Sequence, residues 1–225
     1  MEQSAATRLA AIRERIDEAC RIARRDPAEV ELIAVSKTHG AQDIIPLIEA
    51  GCRAFGENRV QEAAAKWPEL RARFPAVGLH MVGRLQSNKA AEAVALFDFI
   101  HSLDRPSLVE ALGKAMDREG RRVPCFVQVD VGEEPQKGGC AIADLPALLA
   151  LARAANVPLA GLMCVPPAAI EPAPYFALAN KLARENGLRG LSMGMSSDFE
   201  TAIALGASHV RVGTALFGSH SPAET

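Results

Sequence analysis

Lys37 closes an apolar run, Val30-Glu31-Leu32-Ile33-Ala34-Val35-Ser36-Lys37, and Thr38-His39-Gly40 follows at once. Such a run reads as a buried β-strand, so the amine at its end is expected to be partly stripped of water. Desolvation disfavours the ammonium form, lowers its pKa and prepares the amine to attack a carbonyl carbon. Taken alone, Lys37 is explained equally well as a strand-end side chain snorkelling to solvent.

What tips the balance lies near the other end of the chain. Leu191-Ser192-Met193-Gly194-Met195-Ser196-Ser197-Asp198 and Val210-Arg211-Val212-Gly213-Thr214 each read as an apolar strand running into a small, polar turn. Ser197 and Glu200 have the S-x-x-E spacing of a capping box, so a helix is expected to start here. A helix start is also an anion site, to which the hydroxyls of Ser196 and Ser197 add donors. Gly213 permits close backbone approach, and Thr214 offers an amide and a hydroxyl. A carbonyl-seeking amine and a phosphate grip together point to pyridoxal 5′-phosphate (PLP).

Arg211, two residues before Gly213, faces the same side of its strand and is placed to meet the pyridine nitrogen of that cofactor. A guanidinium can only donate, so the ring nitrogen would stay unprotonated and the ring would be a poorer electron sink. The competing partner for Arg211 is a structural carboxylate. Asn58, in Phe55-Gly56-Glu57-Asn58, reads first as a helix N-cap and second as a contact to the ring. Lys89 opposes the dipole of a predicted helix start and is expected to have an anionic partner. Lys137, in a glycine-rich loop, is a candidate second amine, whereas His80 reads as a hydrogen-bonded interior residue.

These residues need a scaffold that brings strand ends together. Eight strands are predicted, at Val30–Lys37, Arg53–Glu57, Leu79–Gly83, Phe99–Leu103, Cys125–Val131, Leu159–Val165, Leu191–Met195 and Val210–Gly213. Helical patterns separate them, and an amphipathic helix over about residues 3–25 precedes the first, with Leu9, Ile12, Ile16 and Cys20 on one face. The alternation predicts an α/β fold: one (β/α)8 TIM barrel domain spanning 1–225, with an extra N-terminal helix. A doubly wound open sheet is the alternative. The polar motifs after strands one, two, three, seven and eight favour closure around one mouth.

Composition narrows the function. Near balance of 25 basic and 27 acidic residues, with 4% aromatics, argues against nucleic acid and against a basic membrane surface. Five cysteines without CxxC spacing read as buried thiols in a reducing compartment, and no apolar run reaches membrane-spanning length. A cytoplasmic protein is expected.

The motifs Val35-Ser36-Lys37-Thr38, Phe55-Gly56-Glu57-Asn58, Leu85-Gln86-Ser87-Asn88-Lys89, Ser192-Met193-Gly194-Met195-Ser196 and Arg211-Val212-Gly213-Thr214 resemble the YggS/PROSC-type PLP homeostasis proteins, in order and over nearly the whole chain. The resemblance implies a barrel like the N-terminal domain of alanine racemase, with Lys37 forming a Schiff base and Arg211 facing the pyridine nitrogen. It further implies Ser196, Ser197, Gly213 and Thr214 as phosphate ligands and Asn58 beside the ring. The implied role is to bind, buffer and deliver PLP, with PLP-dependent apo-enzymes as partners and no established turnover. The main rival is an amino-acid racemase, which needs a base on each face of the substrate carbon. Tyr175 falls within a predicted helix, which leaves Cys164, at the end of strand six, as the second-base candidate. The chain's end soon after strand eight leaves little room for a second domain and favours a monomer.

Overall fold

In a computed structural model, which describes residues 3–168 and 170–218, eight parallel strands close into a barrel. The strands are β1 (Glu31–Val35), β2 (Ala54–Glu57), β3 (Gly78–Met81), β4 (Phe99–Leu103), β5 (Cys125–Gln128), β6 (Leu159–Met163), β7 (Gly190–Ser192) and β8 (His209–Val212). Each pairs with the next, and β8 closes on β1 with Glu31 opposite His209 and Ile33 opposite Arg211. The open-sheet alternative is thereby excluded, and the predicted single-domain TIM barrel is the fold.

Helices cover the outside: α2 (Ala41–Glu49), α3 (Val60–Arg73), α4 (Ala90–Leu96), α5 (Pro106–Glu119), α6 (Leu145–Ala154), α7 (Ala173–Glu185), α8 (Phe199–Ala204) and the single turn α9 (Thr214–Phe217). The extra helix, α1 (Ala5–Ala23), begins at Ser4, whose hydroxyl accepts the Thr7 amide at 3.1 Å. Its buried stripe is Leu9, Ile12, Ile16, Ala19 and Cys20, as the spacing predicts. Arginines then tie α1 to the last two helices. Arg15 pairs with Glu200 at 2.6 Å and lies 4.5 Å over the Phe199 ring, Arg25 donates to the Ile203 and Ala207 carbonyls at 2.8 Å, and Arg8 donates to the Leu216 carbonyl at 2.6 Å. The extra helix therefore braces the elements that follow β7 and β8.

Strand alternation divides the core in two. One face of the strands, with Ala34, Phe55, Leu79, Val127, Leu162, Leu191 and Val210, packs beneath the helices in a continuous apolar layer. Fully burying a large apolar side chain stabilises by about 1.5–3 kcal/mol, so hydrophobic stabilisation resides mainly in this outer layer. The other face fills the lumen, and there the buried side chains include His80, His101, Ser192 and Arg211.

Most strands stop one to three residues before the predicted ends, at the mouth. The apolar pattern continues into loops that are buried without belonging to the ladder: Ser36 and Met193 are both fully buried outside any strand. The predicted capping box at Ser197 and Glu200 does not form. Asp198 is the N-cap of α8, its carboxylate accepts the Met195 amide at 2.6 Å, and Glu200 is engaged by Arg15. Nor is Asn58 the cap of α3, whose N-cap is Arg59 without a side-chain bond. All five cysteines are free and buried. Among the described residues no helix is long and apolar enough to cross a membrane, and no group of His, Cys, Asp and Glu is arranged to hold a metal ion.

Candidate functional site

A cavity of about 610 Å³ opens at the C-terminal ends of the strands. Lys37 from the β1–α2 loop, Asn58 after β2, Ser196 and Ser197 after β7, and Arg211, Gly213 and Thr214 from β8 onward all line it. The seven residues picked out in the sequence thus meet in one place, brought there by the closure of β8 on β1.

Lys37 does not sit in the surroundings expected of it. β1 ends at Val35, Ser36 takes the buried position, and Lys37 emerges exposed into the mouth. Among the described residues the ammonium has no hydrogen-bond or ion-pair partner, so it is available to a guest. The loop that carries it is firmly held. Lys66, on α3, donates to the Ser36 and His39 carbonyls at 2.8 and 2.9 Å, and Glu62, one turn earlier on α3, accepts the Thr38 amide. Lys66 also pairs at 2.8 Å with the fully buried Glu57, which accepts from the Ser36 hydroxyl at 2.5 Å and from Trp67 Nε1 at 3.0 Å. Sequence reasoning missed this brace. Glu57 appeared there only as a neighbour of Asn58, and nothing local marks Lys66 as its partner.

The two turns read from the sequence as a phosphate grip are shaped by backbone. Gly194 has φ +92°, and a Cβ there would lie 2.6 Å from the Ala202 Cβ and 2.9 Å from the Phe199 Cα, so the turn that swings residues 195–197 to the mouth requires glycine. The amides of Ser196 and Ser197 make no hydrogen bond among the described residues. After β8, the Leu216 and Phe217 amides both take the Gly213 carbonyl, at 2.8 and 3.1 Å, and among the described residues the Thr214 amide has no partner. Unpaired amides with hydroxyls beside them, lining one cavity, are the kind of donors that suit an anion without any long helix dipole. Asn58 approaches the mouth because Gly83 lets it: a Cβ on Gly83 would meet the Asn58 Cα at 2.6 Å.

Arg211 is buried, and among the described residues no carboxylate pairs with it as the structural alternative required. Its Nη1 donates to Ser192 Oγ at 2.6 Å and its Nη2 to the Cys164 carbonyl at 3.0 Å. Two other cations lie elsewhere. Lys89 pairs with Glu92 at 2.7 Å, which supplies the anion its position called for. Lys137 is held by the Pro166 carbonyl at 2.9 Å and Glu134 at 2.7 Å and does not line the cavity, so it is no second amine there. His80 is interior and hydrogen-bonded, as expected, with Nδ1 3.0 Å from His101 Nε2.

Over residues 7–221 the chain matches the family described as alanine racemase, N-terminal domain. The pyridoxal phosphate homeostasis protein of Pseudomonas aeruginosa is 42% identical over 220 residues, 95% of each chain. That of Aquifex aeolicus is 38% identical over 225 residues, covering 96% of this chain and 98% of its own. PipY of Synechococcus elongatus, solved with PLP bound, superposes with a TM-score of 0.85 at 41% identity, over 95% of this chain and 100% of that one. This chain belongs to the pyridoxal phosphate homeostasis protein family. Within that family fold, the cavity described above is the mouth of the barrel. Alanine racemase of Clostridium difficile shares the barrel at a TM-score of 0.71 but with 14% identity and over 57% of its chain, a likeness of fold alone.

Proposed function

We propose that this protein holds PLP in the mouth cavity, through the Lys37 amine, and serves PLP homeostasis as a carrier without turnover. The observation that carries the reading is the meeting of an exposed amine, free amides at two turns and a buried guanidinium in one cavity. The residues fit the group. Lys37 offers an unpaired nucleophile for the aldehyde. Ser196, Ser197, Gly213 and Thr214 offer amides and hydroxyls for the phosphate, Arg211 offers donors only to the ring nitrogen, and Asn58 flanks the ring. The bound cofactor would supply an electron sink, and an arginine at its ring nitrogen weakens that sink.

The racemase reading loses support on the same ground. Tyr175 lies in α7 and does not line the cavity. The Cys164 thiol is buried and pushed up to about 12 by desolvation, which leaves it protonated and a poor base. A monomeric cytoplasmic carrier that passes PLP to dependent apo-enzymes accords with a cavity that stays open to solvent and an amine that is not buried. Titration of the purified protein with PLP is expected to give a new absorption band that Lys37→Ala lacks. Incubation of the loaded protein with a panel of L-amino acids is expected to give no sustained formation of the D-isomers. Sustained turnover would overturn the carrier reading.

A further inference from the structure

The lumen beneath the cavity holds a chain of polar side chains whose proton positions can be derived from one end. Burial draws the Arg211 pKa down from its usual value, but a guanidinium stays protonated in proteins and can only donate. Ser192 Oγ, 2.6 Å from Arg211 Nη1, must therefore accept. Its single hydroxyl proton has one remaining partner among the described residues, His101 Nδ1 at 2.8 Å, so His101 Nδ1 accepts and the His101 proton sits on Nε2. That proton goes to His80 Nδ1 at 3.0 Å, which leaves the His80 proton on Nε2. His80 Nε2 lies 3.8 Å from Glu31 Oε2, too long for a hydrogen bond but close enough for attraction. Glu31, at the opposite end of the barrel, also receives His209 Nε2 at 3.3 Å.

Every link thus points the same way, from the cation at the mouth to a carboxylate at the far end of β1. Ser192, His101 and His80 are 0–1% exposed, so water does not offer them other partners. Aromatic rings fix the imidazole planes: His80 stacks on Phe99 at 4.8 Å and His101 on Phe126 at 4.5 Å. Among the described residues no carboxylate pairs with the buried Arg211, although Asp198 attracts it at longer range, and the aligned dipoles of the chain add to what favours the cation. Burial holds the His80 pKa down at about 4 and that of His101 well below the ordinary value, in keeping with two neutral rings.

We propose that Ser192, His101 and His80 are positioning residues, a one-way hydrogen-bond chain through the lumen that fixes the Arg211 guanidinium at the mouth. Only its service to a bound PLP ring rests on the functional reading above. Long-range 1H–15N correlation spectra of the cofactor-free, histidine-labelled protein are expected to show His101 and His80 as neutral Nε2–H tautomers at pH 7 and pH 6. An Nδ1–H tautomer or a charged ring at either position overturns the chain. In Ser192→Ala, His101 is expected to lose its single tautomer and the Arg211 Nη protons to exchange faster. The dissociation constant for PLP is expected to rise about tenfold, with most of the loss restored in Ser192→Thr. Unchanged Arg211 exchange in Ser192→Ala overturns the positioning role. If wild-type protein shows the tautomers but fails to bind PLP, the functional reading falls and the chain stands.

Discussion

Lys37 and Arg211 face the same cavity but are held in opposite ways, and substitutions should separate them. Lys37 is exposed and its amine makes no polar contact among the described residues, so Lys37→Ala is expected to change folding stability by no more than about 0.5 kcal/mol while removing PLP retention. Arg211→Met keeps the volume but leaves Ser192 Oγ and the Cys164 carbonyl without their donor in a buried site. Urea denaturation is expected to show a loss of about 1–3 kcal/mol, and an undiminished midpoint would mean the guanidinium is not anchored as described. The types of these two residues and their strand-end positions were legible in the sequence because period-two strands followed by glycine or serine announce a mouth. The burial of Lys37 was misjudged because an apolar run does not reveal where hydrogen bonding between strands stops. Pairing with β2 and β8 ends at Val35, and a last bond from the Ser36 amide to the Gly56 carbonyl at 2.9 Å leaves Lys37 beyond the ladder.

Among the elements, α3 has a role that periodicity could not disclose. Glu57 and Lys66 lie on a strand and on the helix that follows it, and their contact exists only once α3 folds back over β2. Lys66→Met leaves the fully buried Glu57 without its cation and takes one donor from each of the Ser36 and His39 carbonyls. The expected cost is about 3–5 kcal/mol, with part of it recovered when Glu57→Gln is added, because the double variant leaves no unpaired charge. Additive losses in that double-mutant cycle would show that the two residues act separately. The long helices and all eight strands were readable from their spacing, whereas α9, a single turn, carries too few residues to show a period. The capping box at Ser197 failed for a related reason: the helix starts one residue later, at Asp198, and Arg15, from the other end of the chain, holds the Glu200 carboxylate that the motif needs.

At the scale of the whole molecule, the barrel places its apolar layer outside the strands and a polar chain within, and that arrangement makes folding sensitive to acid. His80 and His101 are held neutral by burial, with His80 at about 4, so below pH 6.5 the unfolded chain binds protons that the native state refuses. Stability therefore falls as pH drops from about 6.5 towards 4, by up to about 1.4 kcal/mol per pH unit for each histidine. Glu31, whose carboxyl is lowered by its hydrogen bond to His209, adds a loss of the same sign further into acid. Denaturation midpoints that stay level between pH 7 and pH 5 would contradict a neutral lumen. The closed barrel is also what makes a site of residues as far apart as 37 and 214, and the test of that site is direct. Protein loaded with PLP, reduced with borohydride and digested, is expected to carry the pyridoxyl phosphate mass on the peptide containing Lys37. Label on any other lysine, or on none, would contradict the account.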